Sequence, residues 1–311
     1  MAHQVETMAY AGETPWHGLG VSVINDLTPE QMLVKAGLDW EVNKLPMYYE
    51  VEGKKNATEQ RALVRSSDNK LLSIVSDDWH PVQNHEAFEF FKDFVMEGDM
   101  EMHTAGSLRE GKNVWALAKV KESFEILGGD KVESYLLFSN PHEYGRCIDI
   151  RFTPIRVVCN NTLTLSLAER SDLSVRLNHR RNFDAGMVRR TLGIANKKMN
   201  TYKEVAEHLS SKFFNEEKLV NYLGDVFPAL SKENKKVLSR PAETAFQALE
   251  TQPGAEFGKG SWWQAFNAVT YTTDHLLGHN NETRLQSAWY GQNRNRKVQA
   301  LEKAIEYAGA A

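Results

Sequence analysis

The sequence predicts an α+β protein: an antiparallel β-sheet with packed helices, followed by a mostly helical C-terminal half. Between residues 39 and 156, runs of strand-forming residues are separated by short turns, which is the spacing of hairpins rather than of parallel βαβ units. From Ala185 onward, apolar residues recur at helical spacing over almost all of the remaining chain. We therefore divide the 311 residues into a β-rich domain at 1–169, a linker at 170–184 and a helical domain at 185–311.

The first domain begins with an irregular segment, residues 1–26, and then a helix with clear end signals. Thr28 and Gln31 have the spacing of a capping box, and Gly37 is placed to end the helix. A second helix is predicted to begin with Asn84 as its N-cap. Strands are predicted at 39–52, 61–66, 71–76, 100–108, 113–120 and 133–139.

The last strand of this domain alternates polar and apolar residues as far as Pro154, where the parity of the apolar positions flips. Proline cannot donate to a sheet ladder, so the flip predicts a bulge, which would return Arg156 to the face that carries Arg151. Asn160 or Asn161 is then predicted to cap a further short helix.

The helical half is predicted to hold several helices separated by glycine- and proline-containing segments. Ser261 is placed to cap one of them, and the last is expected to break near Gly291. The predicted helices cover 185–212, 215–226, 232–250, 261–277 and 282–308.

A basic segment is the clearest charge feature of the chain. Residues 176–203 contain eight basic residues and one acidic residue, a formal charge of +7, which leaves −11 for the rest of a chain whose net charge is −4. Such a local reversal indicates an anionic partner, for which a nucleic-acid backbone is the natural choice, or an acidic protein surface. The alternative, which implies no function, is that these basic residues form a solvated helix face.

The residues predicted to bind nucleic acid belong to the last strand and to the basic segment. They are Arg151, Arg156, Arg176, Arg180, Arg181, Arg189, Arg190, Lys197 and Lys198. Aromatic side chains on strands could add base stacking, although each is more often a core residue. The candidates for stacking are Trp40, Tyr48, Tyr49, Trp79 and Trp115.

Signals for catalysis are weak, and we predict no catalytic residue, no metal site and no cofactor. Cys147 and Cys159 have no neighbouring ligand pair with metal-site spacing, and the chain has neither a GxSxG elbow nor a Walker loop. The N-terminus has no signal-peptide pattern, and no run of apolar residues is long enough to span a membrane. We expect a cytoplasmic protein with reduced cysteines.

Several stretches, taken in order, resemble the phage- and plasmid-borne family called domain of unknown function 932 (DUF932). They are MAYAGETPWHGLG at 8–20, AGLDWEV at 36–42, PVQNHEAFEF at 81–90, TAGSLREGKNVWALAKV at 104–120, RFTPIRVVCNNTL at 151–163 and the tryptophan-rich helix at 261–277. The resemblance covers nearly the whole chain and implies a setting in a phage or plasmid, but it supplies no activity and no catalytic residues. The predicted order α-β-β-β-α at 28–96 is also similar to the core of the single-strand annealing recombinases of the RecT and Redβ group, as a fold-level analogy.

These observations lead to a non-catalytic DNA-binding protein of a mobile element as the first expectation. Single-stranded DNA is the expected partner, with annealing in recombination or replication as the role and a homo-oligomer as the assembly. A protein–protein interaction module, such as an inhibitor of a host defence system, is the second expectation. An unrecognised enzyme acting on nucleic acids or nucleotides is the third.

Overall fold

The computed structural model describes residues 5–12, 19–126, 129–156, 161–162, 174–179, 200–229, 238–278 and 284–309. These residues form the predicted α+β fold, with antiparallel sheets first and a largely helical C-terminal half. The strands are β1 Val5–Ala11, β2 Val21–Val23, β3 Val42–Val51, β4 Lys54–Arg65, β5 Leu71–Ser76, β6 Met100–Leu108, β7 Asn113–Ile126, β8 Asp130–Pro141, β9 Ile148–Arg156, β10 Asn161–Thr162 and β11 Ser174–Leu177.

The helices lie between the strands of the first half and make up most of the second half. None of those described is long and apolar enough to cross a membrane. They are α1 Pro29–Lys35, α2 Asn84–Glu89, α3 Lys92–Met96, α4 over residues 200–211, α5 Glu216–Val226, α6 Arg240–Thr251, α7 Trp262–Tyr271, which continues as a π-helical turn at Thr272–Leu276, α8 Arg284–Tyr290 and α9 Gln292–Gly309.

The strands form two sheets. The larger sheet has the order β10-β9-β8-β7-β6-β1-β2, with β11 paired to β9 beside β10, and the smaller one has the order β3-β4-β5. Neighbouring strands are antiparallel except for β1 and β2, which run parallel. The strand predicted at 133–139 is confirmed, because it lies within β8, which runs between β7 and β9 and is buried along almost its whole length.

The larger sheet is apolar on both faces. Its first face carries side chains such as Val114, Leu136 and Ile150 and belongs to the main core, which continues without interruption into helices α5, α6, α7 and α9. Its second face carries a smaller cluster that includes Trp115 and Leu137, and helix α8 packs on it through Trp289 and Tyr290. A sheet covered on both faces places its strand ends, rather than its faces, at the protein surface.

Several local predictions are confirmed. The Thr28 hydroxyl accepts from the Gln31 amide and the Gln31 side chain accepts from the Thr28 amide, so α1 begins with a capping box. Gly37 follows the helix with a φ of 66°, a left-handed conformation that suits glycine. In the second half, Ser261 caps α7, and Gly291 separates α8 from α9.

Two predictions in the first half are wrong. The segment 1–26 is not irregular throughout, because it contains strands β1 and β2. Helix α2 has Gln83 as its N-cap rather than Asn84, and the Gln83 backbone amide donates to the Glu86 carboxylate. Residues 174–177, within the predicted linker, form β11 on the edge of the sheet. The domain boundaries themselves stay a prediction.

Strand β9 also differs from its prediction. Its pairing with β8 runs without a register shift from Ser139 opposite Asp149 to Val132 opposite Arg156, so there is no bulge at Pro154. The unbroken register gives Arg151 and Arg156 opposite parity. Asn161, predicted as a possible helix cap, lies instead in β10 and pairs with β9.

Helix α9 is joined to the π-helical turn by a buried ion pair. The Lys297 ammonium lies 2.8 Å from the Asp274 carboxylate, and the two side chains are 0% and 3% exposed. Nearby, the Asn293 amide donates to the Thr273 carbonyl at 2.8 Å. Burial lowers the pKa of Lys297, Asp274 opposes that shift, and the positive charges of Arg294 and Arg151 add to it. This pair therefore fixes the start of α9 in an environment that already contains excess positive charge.

We expect Lys297→Met to lower the free energy of unfolding by about 3–5 kcal/mol, because it leaves the Asp274 carboxylate buried without its partner. The double variant Lys297→Met with Asp274→Leu should recover much of this loss. Urea denaturation of the three proteins measures the effect.

Lys303 on the same helix provides the matched control. Its ammonium lies 2.8 Å from Glu306, the same distance as in the buried pair, but the two side chains are 30% and 65% exposed. Lys303→Met should cost no more than about 1 kcal/mol. Equal losses for Lys297→Met and Lys303→Met would contradict the role of burial.

Candidate functional site: an arginine-lined cleft

A cleft opens where the ends of β7, β8, β9 and β11 meet the junction of α8 and α9. Its volume is about 270 Å³. Five arginines line it, contributed by separate segments of the chain: Arg109, Arg146, Arg151, Arg176 and Arg294. The remaining lining includes Asn113, Ser139, Cys147, Asp149 and Tyr290.

Arg151 has a side chain that is 13% exposed, less than those of Arg109 at 22% and Arg146 at 54%. It projects from β9 toward the second face of the sheet, where its Nη1 donates to the Trp289 carbonyl at 2.8 Å and its Nη2 pairs with Asp149. The guanidinium also lies over the Tyr290 ring, 5.4 Å from its centroid. These contacts hold Arg151 between the sheet and helix α8.

Arg176 reaches the cleft because β11 pairs with β9. In the antiparallel register Arg176 lies directly opposite Asp149, while Ser139 of β8 lies opposite Asp149 on its other side. Arg176 itself is exposed. Arg176, which sequence analysis selected as part of the basic segment, therefore lies in a strand of the sheet and lines the cleft.

Arg109 comes from the turn between β6 and β7. Arg109 and Glu110 have φ values of 53° and 61°, left-handed conformations that are unfavourable for residues other than glycine. The Arg109 Nη2 donates to the Glu143 carboxylate at 2.5 Å, and the Arg146 Nε lies 3.7 Å from the same carboxylate. Glu143 therefore orients two arginines from two different turns.

Tyr290 supplies the apolar part of the cleft together with a hydroxyl group. Its side chain is half-buried with the hydroxyl oxygen enclosed, and this burial raises the pKa of the hydroxyl. The side chains of Ser139 and Asn113 lie beside this hydroxyl and partly oppose the rise in its pKa. They also hydrogen-bond each other at 3.0 Å. Neutral hydrogen-bonding groups thus lie beside the arginines.

Positive charge exceeds negative charge in the cleft. Counted over the described residues alone, the five lining arginines and the two carboxylates beside them, Asp149 in the lining and Glu143 behind it, give a formal charge of +3. Burial lowers the pKa of Arg151 to about 10, and the neighbouring positive charges of Arg294 and Arg176 contribute to this shift. An anion bound here would relieve that repulsion, so binding an anion is what the arrangement can do chemically.

The nine residues predicted to bind nucleic acid divide into three groups. Arg151 and Arg176 line the cleft together. Arg156 has only its backbone described and lies in β9 with the parity opposite to that of Arg151, so the prediction that both share a face is wrong. Arg180, Arg181, Arg189, Arg190, Lys197 and Lys198 lie outside the described residues.

Sequence analysis missed three arginines of the cleft: Arg109, Arg146 and Arg294. The turn at 109–111 was recognised, but nothing local in the sequence links it to residues far along the chain. Among the proposed stacking residues, Trp40, Trp79 and Trp115 are buried in the core, whereas Tyr48 and Tyr49 are more than half exposed.

The fold and the site define an α+β protein with a basic cleft at one end of its sheet. The family model for the domain of unknown function (DUF932) matches residues 71–301, and the chain belongs to that family. All five cleft arginines fall within the matched residues. Comparison with curated proteins and with solved structures found no match.

Two buried histidines support the segments beside the cleft. His142 follows β8, and its Nε2 lies 3.0 Å from the Asn84 Oδ1. The Asn84 amide nitrogen donates to the Leu38 and Trp40 carbonyls, so its oxygen faces His142 and the histidine is the donor. His179 follows β11 and stacks on Trp79 at 4.1 Å.

Both histidines are held in their neutral form. Burial lowers the pKa of His142 to about 3, with a smaller contribution from His179. Burial likewise lowers the pKa of His179 to about 4, and the hydrogen bond that its Nδ1 donates to the His80 carbonyl opposes this shift. In the unfolded chain both would have a pKa of about 6.5.

We expect the free energy of unfolding to be highest above about pH 6.5 and to fall as the pH drops toward about 4, because only the unfolded chain binds protons at these histidines in that window. Each histidine contributes a slope of at most about 1.4 kcal/mol per pH unit. Denaturation curves at a series of pH values measure the slope.

In the variant His142→Gln, the slope of the unfolding free energy against pH should decrease by the contribution of roughly one proton, whatever stability the variant loses at neutral pH. An unchanged slope in His142→Gln would show that His142 does not titrate in this way.

Proposed function

We propose that the protein is a non-catalytic DNA-binding protein of a phage or plasmid, and that the arginine-lined cleft contacts the phosphates. The surplus of three positive charges in the cleft is the observation that supports this proposal. Arginine forks match phosphate oxygens in geometry, and their binding strength increases where water is partly excluded. Single-stranded DNA, annealing and a homo-oligomer remain part of the proposal, on the fold-level analogy alone.

Two observations support the cleft, rather than another part of the described surface, as the site proposed for the anion. First, the chain as a whole carries −4, so a general attraction to DNA is not expected. Second, several arginines elsewhere on the described surface are paired with carboxylates, as Arg65 is with Glu6 at 2.8 Å and Arg61 is with Asp77 at 2.9 Å. The cleft differs because its arginines outnumber its carboxylates.

A protein–protein role is the second candidate, supported by the smaller sheet. Leu45, Ala62 and Ile74 lie opposite one another across β3, β4 and β5, and Leu45 and Ile74 are 45% and 40% exposed. An exposed apolar row of this kind is typical of a protein interface. An inhibitor of a host defence system would use such a surface and would not need DNA.

Salt-dependent DNA binding tests the proposal. For single strands, the slope of the logarithm of affinity against the logarithm of salt concentration should be about −0.7 per phosphate contacted. The double variant Arg146→Ala with Arg176→Ala should weaken binding to all sequences and make this slope shallower by about 1 to 1.5. Both arginines are exposed, so the fold should survive, and an unchanged denaturation midpoint confirms that it does.

The matched control removes two exposed lysines at the tip of the β3–β4 hairpin, Lys54→Ala with Lys55→Ala, and should leave the slope unchanged. A second comparison uses Arg180→Ala with Arg181→Ala. If this variant makes the salt slope shallower and the variant Arg146→Ala with Arg176→Ala does not, the phosphates are held by the basic segment and not by the cleft. Wild-type protein that retains neither single- nor double-stranded DNA at low salt would refute DNA binding and favour the protein–protein role.

A further inference from the structure

We infer that the cleft receives the phosphorylated end of a nucleic-acid strand, a phosphate monoester, rather than an internal phosphodiester. This inference rests on the proposed DNA binding and specifies which part of the DNA enters the site. Three properties of the cleft lead to it: its size, its charge and its free hydrogen-bond donors.

The first property is size. A volume of about 270 Å³ lies just below the ~300–1,000 Å³ of ordinary small-molecule sites. The space is bounded by the turn at Arg109, the loop at 145–147 and the junction of α8 and α9. It has room for a phosphate and about one nucleoside, whereas a strand passing through would need a longer groove.

The second property is charge. An internal phosphodiester carries one negative charge, whereas a phosphate monoester carries about 1.5 to 2 near pH 7 because its second pKa is about 6. The cleft has a surplus of three positive charges, and Arg151 is held within it at 13% exposure. Electrostatic attraction increases with ligand charge and with exclusion of water, so this site favours the monoester.

The third property is the supply of donors. The Nε atoms of Arg109 and Arg151 are buried, and among the described residues neither has a hydrogen-bond partner. Both guanidinium groups are already fixed, by Glu143 and by the Trp289 carbonyl. These Nε atoms are closed to solvent, so a bound phosphate would accept from the outer guanidinium nitrogens, and a terminal phosphate offers them three acceptor oxygens instead of two.

Fluorescence anisotropy with one oligonucleotide sequence tests the inference. The strand is prepared with a 5′-phosphate, with a 3′-phosphate and with hydroxyl groups at both ends. One phosphorylated form should bind at least about tenfold more tightly than the hydroxyl form, the gain expected from an added charge-assisted hydrogen bond. The preference should decrease between about pH 7 and about pH 5, as the phosphate loses its second charge.

Variants test whether the preference for a phosphorylated strand end arises in the cleft. Arg146→Ala with Arg176→Ala should reduce the preference to about twofold or less, whereas Lys54→Ala with Lys55→Ala should keep it at about tenfold. Cys147 is exposed and lines the cleft, so it serves as a probe. The phosphorylated strand should slow alkylation of Cys147 by iodoacetamide, followed by peptide mass spectrometry, and the hydroxyl-ended strand should slow it less.

The outcomes separate the inference from the proposed function. Equal affinity for all three strands, weakened equally by Arg146→Ala with Arg176→Ala, would overturn end recognition and leave DNA binding intact. No binding of any strand would overturn both. If a nucleoside monophosphate or inorganic phosphate binds as tightly as the phosphorylated strand, the source of the phosphate is a free small molecule, and the strand-end assignment is wrong.

Discussion

The cleft depends on the contact between Arg151 and helix α8. Arg151 donates to the Trp289 carbonyl, pairs with Asp149 and lies over the Tyr290 ring, so one side chain joins strand β9 to the helix that covers the second face of the sheet. Trp289 in turn packs edge-on against Trp115 of β7, with ring centroids 5.1 Å apart. A guanidinium can satisfy a carbonyl, a carboxylate and an aromatic face at once because its donors are planar and spread apart. Lysine offers no equivalent geometry at this position.

This arrangement requires positive charges to be buried, which is energetically unfavourable. Arg151 has its pKa lowered to about 10, and the pKa of the buried Lys297 is lowered in part by Arg151 and Arg294. Asp274 compensates Lys297 directly, and Asp149 compensates Arg151. Arg109 and Arg146, by contrast, share the single carboxylate of Glu143. Repulsion of this kind is typical of functional sites, where a ligand provides the missing charge.

Local features of the fold could be predicted from the sequence because short spacing determines them. The capping box at Thr28 and Gln31 is one example, and strand β6 is another. The bulge predicted at Pro154 failed because the sheet is apolar on both faces: Ile155 packs on the second face, so a change of apolar parity there does not signal a change of register. Strand β1 was missed since its main partner lies far along the chain.

The site could be predicted only in part for the same reason. Arg151 and Arg176 were selected from local strand and charge patterns, and a strand pairing brings them together. Arg109 and Arg294 join them through tertiary packing, which no window of sequence reveals.

The wide separation of these segments along the chain also affects biosynthesis. Strand β1 leaves the ribosome long before β6 can pair with it, and the cleft is complete only after α9 has been made. Contacts between distant segments form slowly. A nascent or prematurely terminated chain therefore has no assembled cleft, and its exposed strand edges are open to chaperones or to aggregation until synthesis ends.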